Sequence, residues 1–157
     1  NWDVVSFAQS WDGKHIAFVC NEDAIDRLYI IEAESGKKLQ LPSLPKGGIG
    51  GLEWHRNNEE LAFSMNSSKA PSDVYSFNIN SAKLQQWTES ETGGLNCSQF
   101  AEAELVHWKS FDGRSISGLL YMPAPKFKGK RPVMMIIHGG PESQSKAGFN
   151  GKLNYYL

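Results

Sequence analysis

Residues 132–141 read PVMMIIHGGP, and the fold turns on how this stretch is taken. Val133 to Ile137 is an unbroken apolar run, the pattern of a strand covered on both faces in a parallel or mixed sheet. It passes straight into His138, Gly139, Gly140 and Pro141. Two adjacent glycines let the backbone bend sharply and leave N–H groups that no side chain shields, so they can face a developing negative charge. Pro141 restricts φ just beyond the bend. The plain alternative is a Gly-rich turn that merely closes a buried strand.

The flanking sequence weighs against the plain reading. Leu105–Ser110 (LVHWKS) and Ser115–Met122 (SISGLLYM) are strand-like and flank Asp112-Gly113, a strong short-range hairpin signal. Pro123 and Pro125 end the second strand, and a basic loop with Lys126, Lys128, Lys130 and Arg131 leads to the apolar run. Beyond Pro141, Phe149, Leu153, Tyr156 and Leu157 have helical spacing, with Asn150 placed as an N-cap. Strand, strand, strand, Gly-rich turn and helix is the grammar of an opening α/β sheet.

The first hundred residues follow another grammar, because they repeat. WDGKHIAF (11–18) and HRNNEELAF (55–63) are each a polar turn feeding a strand that ends in Ala-Phe. DRLYIIEAESGKKLQL (26–41) and SDVYSFNINSAKLQQW (72–87) each hold a Tyr-containing strand, a polar turn, then Leu and Gln. Phe18 to Phe63 and Leu39 to Leu84 share an offset of about 45 residues, within the range of β-propeller blades. The expected strands of the first unit are Val4–Ala8, His15–Cys20, Arg27–Ile31 and Lys38–Leu41. Those of the second are Gly51–His55, Leu61–Met65, Val74–Asn78 and Lys83–Thr88, with PSLPKGGIGG (42–51) connecting the two. A four-stranded blade does not bury both faces alone, so each blade implies neighbours. The expected organisation is a partial propeller of two blades over residues 1–100, then the first strands of a hydrolase-type α/β sheet over 101–157.

Bulk properties exclude several function classes. The 157 residues carry a formal net charge of -1 with 40% hydrophobic and 21% charged residues, an ordinary globular composition. That balance gives no electrostatic case for nucleic acid or an anionic membrane. No apolar run approaches the length of a membrane span, and the residues from Asn1 onward do not read as a signal peptide, since they begin in mid-pattern rather than with Met and a basic stretch. Because the chain starts in mid-pattern, it is expected to be cut from something longer. Cys20 continues an apolar strand and reads as a small core residue, and Cys97 sits in a polar stretch. His15, His55, His107 and His138 have no metal-ligand spacing, so neither metal nor cofactor is expected. Ser115 and Ser117 lie in a strand, and Ser143 and Ser145 follow Pro141 in a loop; none sits on a G-x-S-x-G elbow.

The order of these parts resembles the prolyl oligopeptidase family of serine peptidases, closest to its acylaminoacyl-peptidase and dipeptidyl-aminopeptidase-like branch. Two motifs carry the likeness. One is the hairpin FDGRSISGLLYMP, in which Phe111, Asp112, Gly113, Ile116, Gly118, Leu119 and Pro123 carry the likeness. The other is the strand ending in His138-Gly139-Gly140-Pro141. The resemblance implies a propeller capping an α/β-hydrolase domain that cleaves short peptides through an acyl-enzyme. It also implies an oxyanion-hole turn at His138–Pro141, with the Gly139 N–H as one donor and His138 shaping the bend. Some relatives use a tyrosine hydroxyl where this chain has His138, which favours a backbone donor here.

The same resemblance places the whole Ser, Asp and His triad downstream of such a turn, so the chain alone is expected to lack hydrolase activity. Two readings stay open. In the first, the chain is part of a serine peptidase with a peptide substrate. In the second it is a non-catalytic, TolB-like propeller that binds a protein partner. No motif speaks to oligomerisation or compartment.

Overall fold

The computed structural model describes residues 2–157, built almost wholly from three antiparallel sheets. The first contains β1 (Val4–Gln9), β2 (His15–Glu22) and β3 (Ile25–Glu32) in that order. The second contains β4 (Ile49–Trp54), β5 (Glu60–Met65), β6 (Asp73–Asn78) and β7 (Lys83–Gln86), again in chain order. β8 (Glu104–Lys109) and β9 (Ser115–Leu120) pair only with each other, and a single helix, α1 (Gly151–Tyr156), follows. Successive hairpin-linked strands stacked sheet against sheet are what propeller blades look like.

Alternation along the strands builds the main core. Ala17 and Val19 of β2, Leu28 and Ile30 of β3, and Leu61, Phe63 and Met65 of β5 are all buried at every second position. They meet Ile49, Trp54 and Phe77 in one cluster between the two sheets. The repeat seen in sequence is therefore a repeat of packing: Phe18 stacks on Tyr29 in one sheet, and Phe63 on Tyr75 in the other. A second, smaller cluster joins Ile25 to Ala103 and Ala147, with Leu105, Leu119 and Tyr121 against it. It ties the β2–β3 end of the first sheet to the β8–β9 hairpin and to the chain beyond Pro141.

Two expected strands do not form. Lys38–Leu41 makes only one bridge, Lys38 to Ile31, followed by the Leu39 N–H donating to the Ile30 carbonyl. Leu39, Leu41 and Leu44 turn onto the main core instead, and Pro42 has no N–H with which to extend a ladder. The first sheet thus has three strands where four were expected. The run Val133–Ile137 belongs to no strand and is unpaired, each of its residues at least 57% exposed. A strand exists by its neighbours, and among the described residues none lies beside this run. Where an α/β sheet was expected over 101–157, the described residues form an isolated antiparallel hairpin, an unpaired run and α1.

The local signals held. The hairpin turns at Asp112-Gly113, with Gly113 at φ 82°, and Trp108 faces Ile116 across it. Gly118 is needed there, since a Cβ would lie 2.9 Å from the Trp108 ring. Asn150 caps α1 by accepting the Leu153 N–H at 3.1 Å. Cys20 is buried, and both cysteines are free thiols. No described helix is long and apolar enough to cross a membrane.

Candidate active-site turn

His138, Gly139, Gly140 and Pro141 all lie at the surface. Their arrangement is specific. The His138 ring nitrogen Nδ1 lies 2.7 Å from the Gly139 carbonyl oxygen. A carbonyl only accepts, so the imidazole carries its proton on Nδ1 and donates it there. This pins the plane of the Gly139–Gly140 peptide. Because a trans peptide sets N–H opposite to C=O, the Gly140 N–H points away from the imidazole. Neither the Gly139 nor the Gly140 N–H is taken up by an acceptor among the described residues. Space around Gly139 is open: a Cβ there would meet nothing within 4 Å. At Gly140 a Cβ would come within 3.2 Å of the Glu142 nitrogen, so the bend is tighter on that side. The Gly140–Pro141 peptide is cis.

Two successive N–H groups free of protein acceptors, the second on a peptide oriented by a neighbouring imidazole, are suited to receive an anion or a developing oxyanion. No nucleophile stands with them. Ser115 and Ser117 lie on β9, and Ser143 and Ser145 are exposed in the loop after Pro141. The other histidines are engaged elsewhere. His15 stacks on Trp54 with ring centroids 5.9 Å apart, His55 accepts the Asn57 N–H through Nδ1, and His107 Nε2 lies 3.3 Å from Asp23 Oδ2. Among the described residues no group of three or more His, Cys, Asp or Glu could hold a metal ion.

The chain leaving the turn does not stay at the surface. Ala147 is wholly buried and donates its N–H to the Ala24 carbonyl at 2.9 Å, at the tip between β2 and β3. Just before it, the Lys146 ammonium lies 3.7 Å from Oδ1 of the buried Asp26. Glu22 pairs with Ile25 across this tip, leaving Asp23 and Ala24 as its two-residue loop, at φ 49° and 69°. These are the left-handed values of a type I′ hairpin, usually supplied by Asn-Gly. Sequence reading missed this junction. Asp23-Ala24 lacks a glycine, and nothing local links position 26 to position 146. A shallow hollow of about 290 Å³ lies at the junction, lined by Trp2, Asp3, Val5, Asn21, Gln144 and Lys146. A similar hollow lies between the sheets around Trp11 and Trp54, and neither is lined by the turn.

No protein-family model matches this chain, and no curated protein matches its sequence. Solved structures do share its fold. The crystal structure of puromycin hydrolase superposes with a TM-score of 0.78 at 20% identity, over 96% of this chain and 23% of that one. Prolyl oligopeptidase B from Galerina marginata, bound to a hydrolysis and macrocyclization substrate, gives a TM-score of 0.61 at 12% identity, over 73% and 16% of the two chains. A structure from work on two prolyl endopeptidases, in which inter-domain dynamics bears on catalysis and specificity, gives 0.57 at 19% identity, over 74% and 16%. At these identities what is shared is the fold, and this chain spans between 16% and 23% of the length of those structures.

Proposed function

We propose that this chain is part of a serine-type peptidase of the prolyl oligopeptidase family, joining two propeller blades to the beginning of the hydrolase domain. The observation that carries the reading is the likeness to puromycin hydrolase, which runs over 96% of the chain. The blade repeat, the Asp112-Gly113 hairpin and the His138–Pro141 turn support it, following one another in the order that the family's architecture requires. The substrate is a short peptide. A serine supplied from outside this chain attacks the scissile carbonyl, whose π electrons move onto oxygen. The Gly139 N–H, with open space around it, donates to that oxyanion, and a second donor comes from the residue after the nucleophile. When the tetrahedral intermediate collapses, the amine leaves with a proton and an acyl-enzyme remains.

Labelling with a fluorophosphonate tests the proposal. The protein that carries this chain together with a G-x-S-x-G serine takes up the probe, whereas the 157-residue chain by itself does not. Gly139→Pro removes the donor and lowers kcat on the order of a hundredfold to a thousandfold. The openness of the turn favours a second reading, a non-catalytic propeller that binds a protein. Absence of labelling in the complete protein would establish that reading in place of the first.

A further inference from the structure

We infer that Asp26 and Ala24, at the end of the first sheet, are positioning residues for the turn at His138–Pro141, acting through Lys146 and Ala147. The inference rests on the peptidase reading for its functional part only.

A turn that offers N–H groups to a transition state must be held in place, because donors that reorganise during reaction lose most of their effect. Upstream, the turn has no such support: Val133–Ile137 is unpaired and exposed. Its restraint comes from downstream, where the chain enters a socket on the first sheet. Three features make this socket more than a chance contact. Ala147 has no exposed surface and its N–H is satisfied by the Ala24 carbonyl at 2.9 Å. Asp26, 8% exposed, accepts from the Asn21 side-chain amide at 2.9 Å through Oδ1 and from the Ile49 N–H at 3.1 Å through Oδ2, and Lys146 brings a cation to the same Oδ1 at 3.7 Å. Ile25 and Ala103 close the socket on its apolar side.

The location of Asp26 gives this socket a second consequence. Its Oδ2 holds Ile49 at the start of β4, while its Oδ1 faces Lys146. One carboxylate therefore touches both sheets of the stack and the chain that leaves the turn. The Ala24 carbonyl that accepts the Ala147 N–H belongs to the left-handed hairpin tip, so a change in that tip would be felt at Ala147. The two sheets, remote in sequence, thereby set the geometry of the turn.

Amide hydrogen exchange on the full chain is the test, with Lys146→Met as the main variant because Lys146 is half exposed and its stem is retained. The Ala147 amide is expected to be protected. Lys146→Met speeds its exchange about three- to tenfold, Lys146→Arg restores protection, and the Leu61 and Phe77 amides in the main core keep their rates. Asp26→Asn gives the same result more strongly. A merely structural role would move all of these amides together. In a protein that turns over, Lys146→Met lowers kcat with little change in KM. Exchange of Ala147 at the rate of an unstructured peptide, or indifference to Lys146→Met, would overturn the inference. Protection that responds as described in a protein that no fluorophosphonate labels would sink the peptidase reading but leave the anchor standing.

Discussion

The indole N–H of Trp11 donates to the main-chain carbonyl of Trp54 at 3.0 Å, while the Trp54 indole N–H donates to the Ala8 carbonyl at 3.2 Å. The two tryptophans thus stitch the first sheet to the second in both directions. Trp54 is 3% exposed and packs in the core between the sheets, so it supplies apolar burial as well as a satisfied donor. Trp54→Ala is expected to cost about 3–5 kcal/mol, through lost burial and the cavity left behind. Trp54→Phe should cost less, since it keeps most of the apolar contact and loses only the hydrogen bond. Urea unfolding of the three proteins checks the order, and equal midpoints for Trp54→Ala and the parent would refute it.

Gly47 is the glycine least able to accept a side chain. A Cβ at that position would stand 1.8 Å from the Asn66 carbonyl oxygen, with further main-chain atoms of residues 66 and 67 within 2.8 Å. Backbone cannot swing aside as a flexible side chain can, and the Gly47 carbonyl is itself held by the Asp26 N–H at 2.9 Å. Gly47→Ala should therefore destabilise by about 3 kcal/mol or more, the upper end of overpacking costs. Gly36→Ala provides the contrast. Its φ of 69° makes it strained too, but a Cβ there meets nothing within 4 Å. The expected cost is about 1 kcal/mol. Thermal melts of the two variants decide whether close approach outweighs backbone strain.

The parts of this fold that were legible in the sequence are those fixed over short distances. Asp112-Gly113 between strand-like runs and Asn150 ahead of α1 each encode a local conformation, and each is found in the structure; the Ala-Phe pairs at 18 and 63 lie in strands too, but in mid-strand rather than at the end. Val133–Ile137 failed as a strand because apolar character shows that a segment suits a sheet, but pairing is a property of two segments. Lys38–Leu41 failed for a different reason, since Leu39 and Leu41 gain more by facing the core than the edge of β3. The bend at His138–Pro141 was readable as a bend; that His138 fixes the Gly139 carbonyl was not, and neither was the socket for Ala147. Both depend on side-chain placement that no periodicity records.

Stability should fall at both ends of the pH scale, for opposite reasons. On the acid side, the Gly94 and Gly93 N–H groups hold the Glu91 carboxyl below its ordinary 4.5. The Ser10 hydroxyl, and then the Lys14 N–H, likewise hold Asp12 below 3.8. Below those ordinary values the unfolded chain binds protons that the folded one still refuses, so stability present at neutral pH is lost as pH falls through the folded values. Glu91→Gln should make the acid limb of a Tm-against-pH curve shallower. On the alkaline side, the hydrogen bond to Glu22, and then burial, push the Tyr29 hydroxyl above 10.0, while burial does the same for Tyr75 and Tyr121. These groups keep their protons in the folded state after the unfolded chain has released them. Stability is therefore expected to drop as pH rises past 10.0, and Tyr29→Phe should blunt that loss.

The exposed run at Val133–Ile137 makes the last prediction. Five consecutive apolar residues, Val133 at 90% and Ile137 at 79% exposure, stand at the surface with their main-chain donors and acceptors unpaired by any described strand. Such a segment is a template for pairing with another strand, whether from the same polypeptide or from a second copy. In a solution of the 157-residue chain it should drive association that grows with concentration. Met135→Lys places a charge at the centre of the run, where no neighbour packs against it, and should shift the chain toward monomer without lowering its unfolding midpoint. Sedimentation velocity over a range of concentrations, read alongside urea unfolding, separates the outcomes. A parent chain that stays monomeric throughout would show that the run is less adhesive than its composition implies.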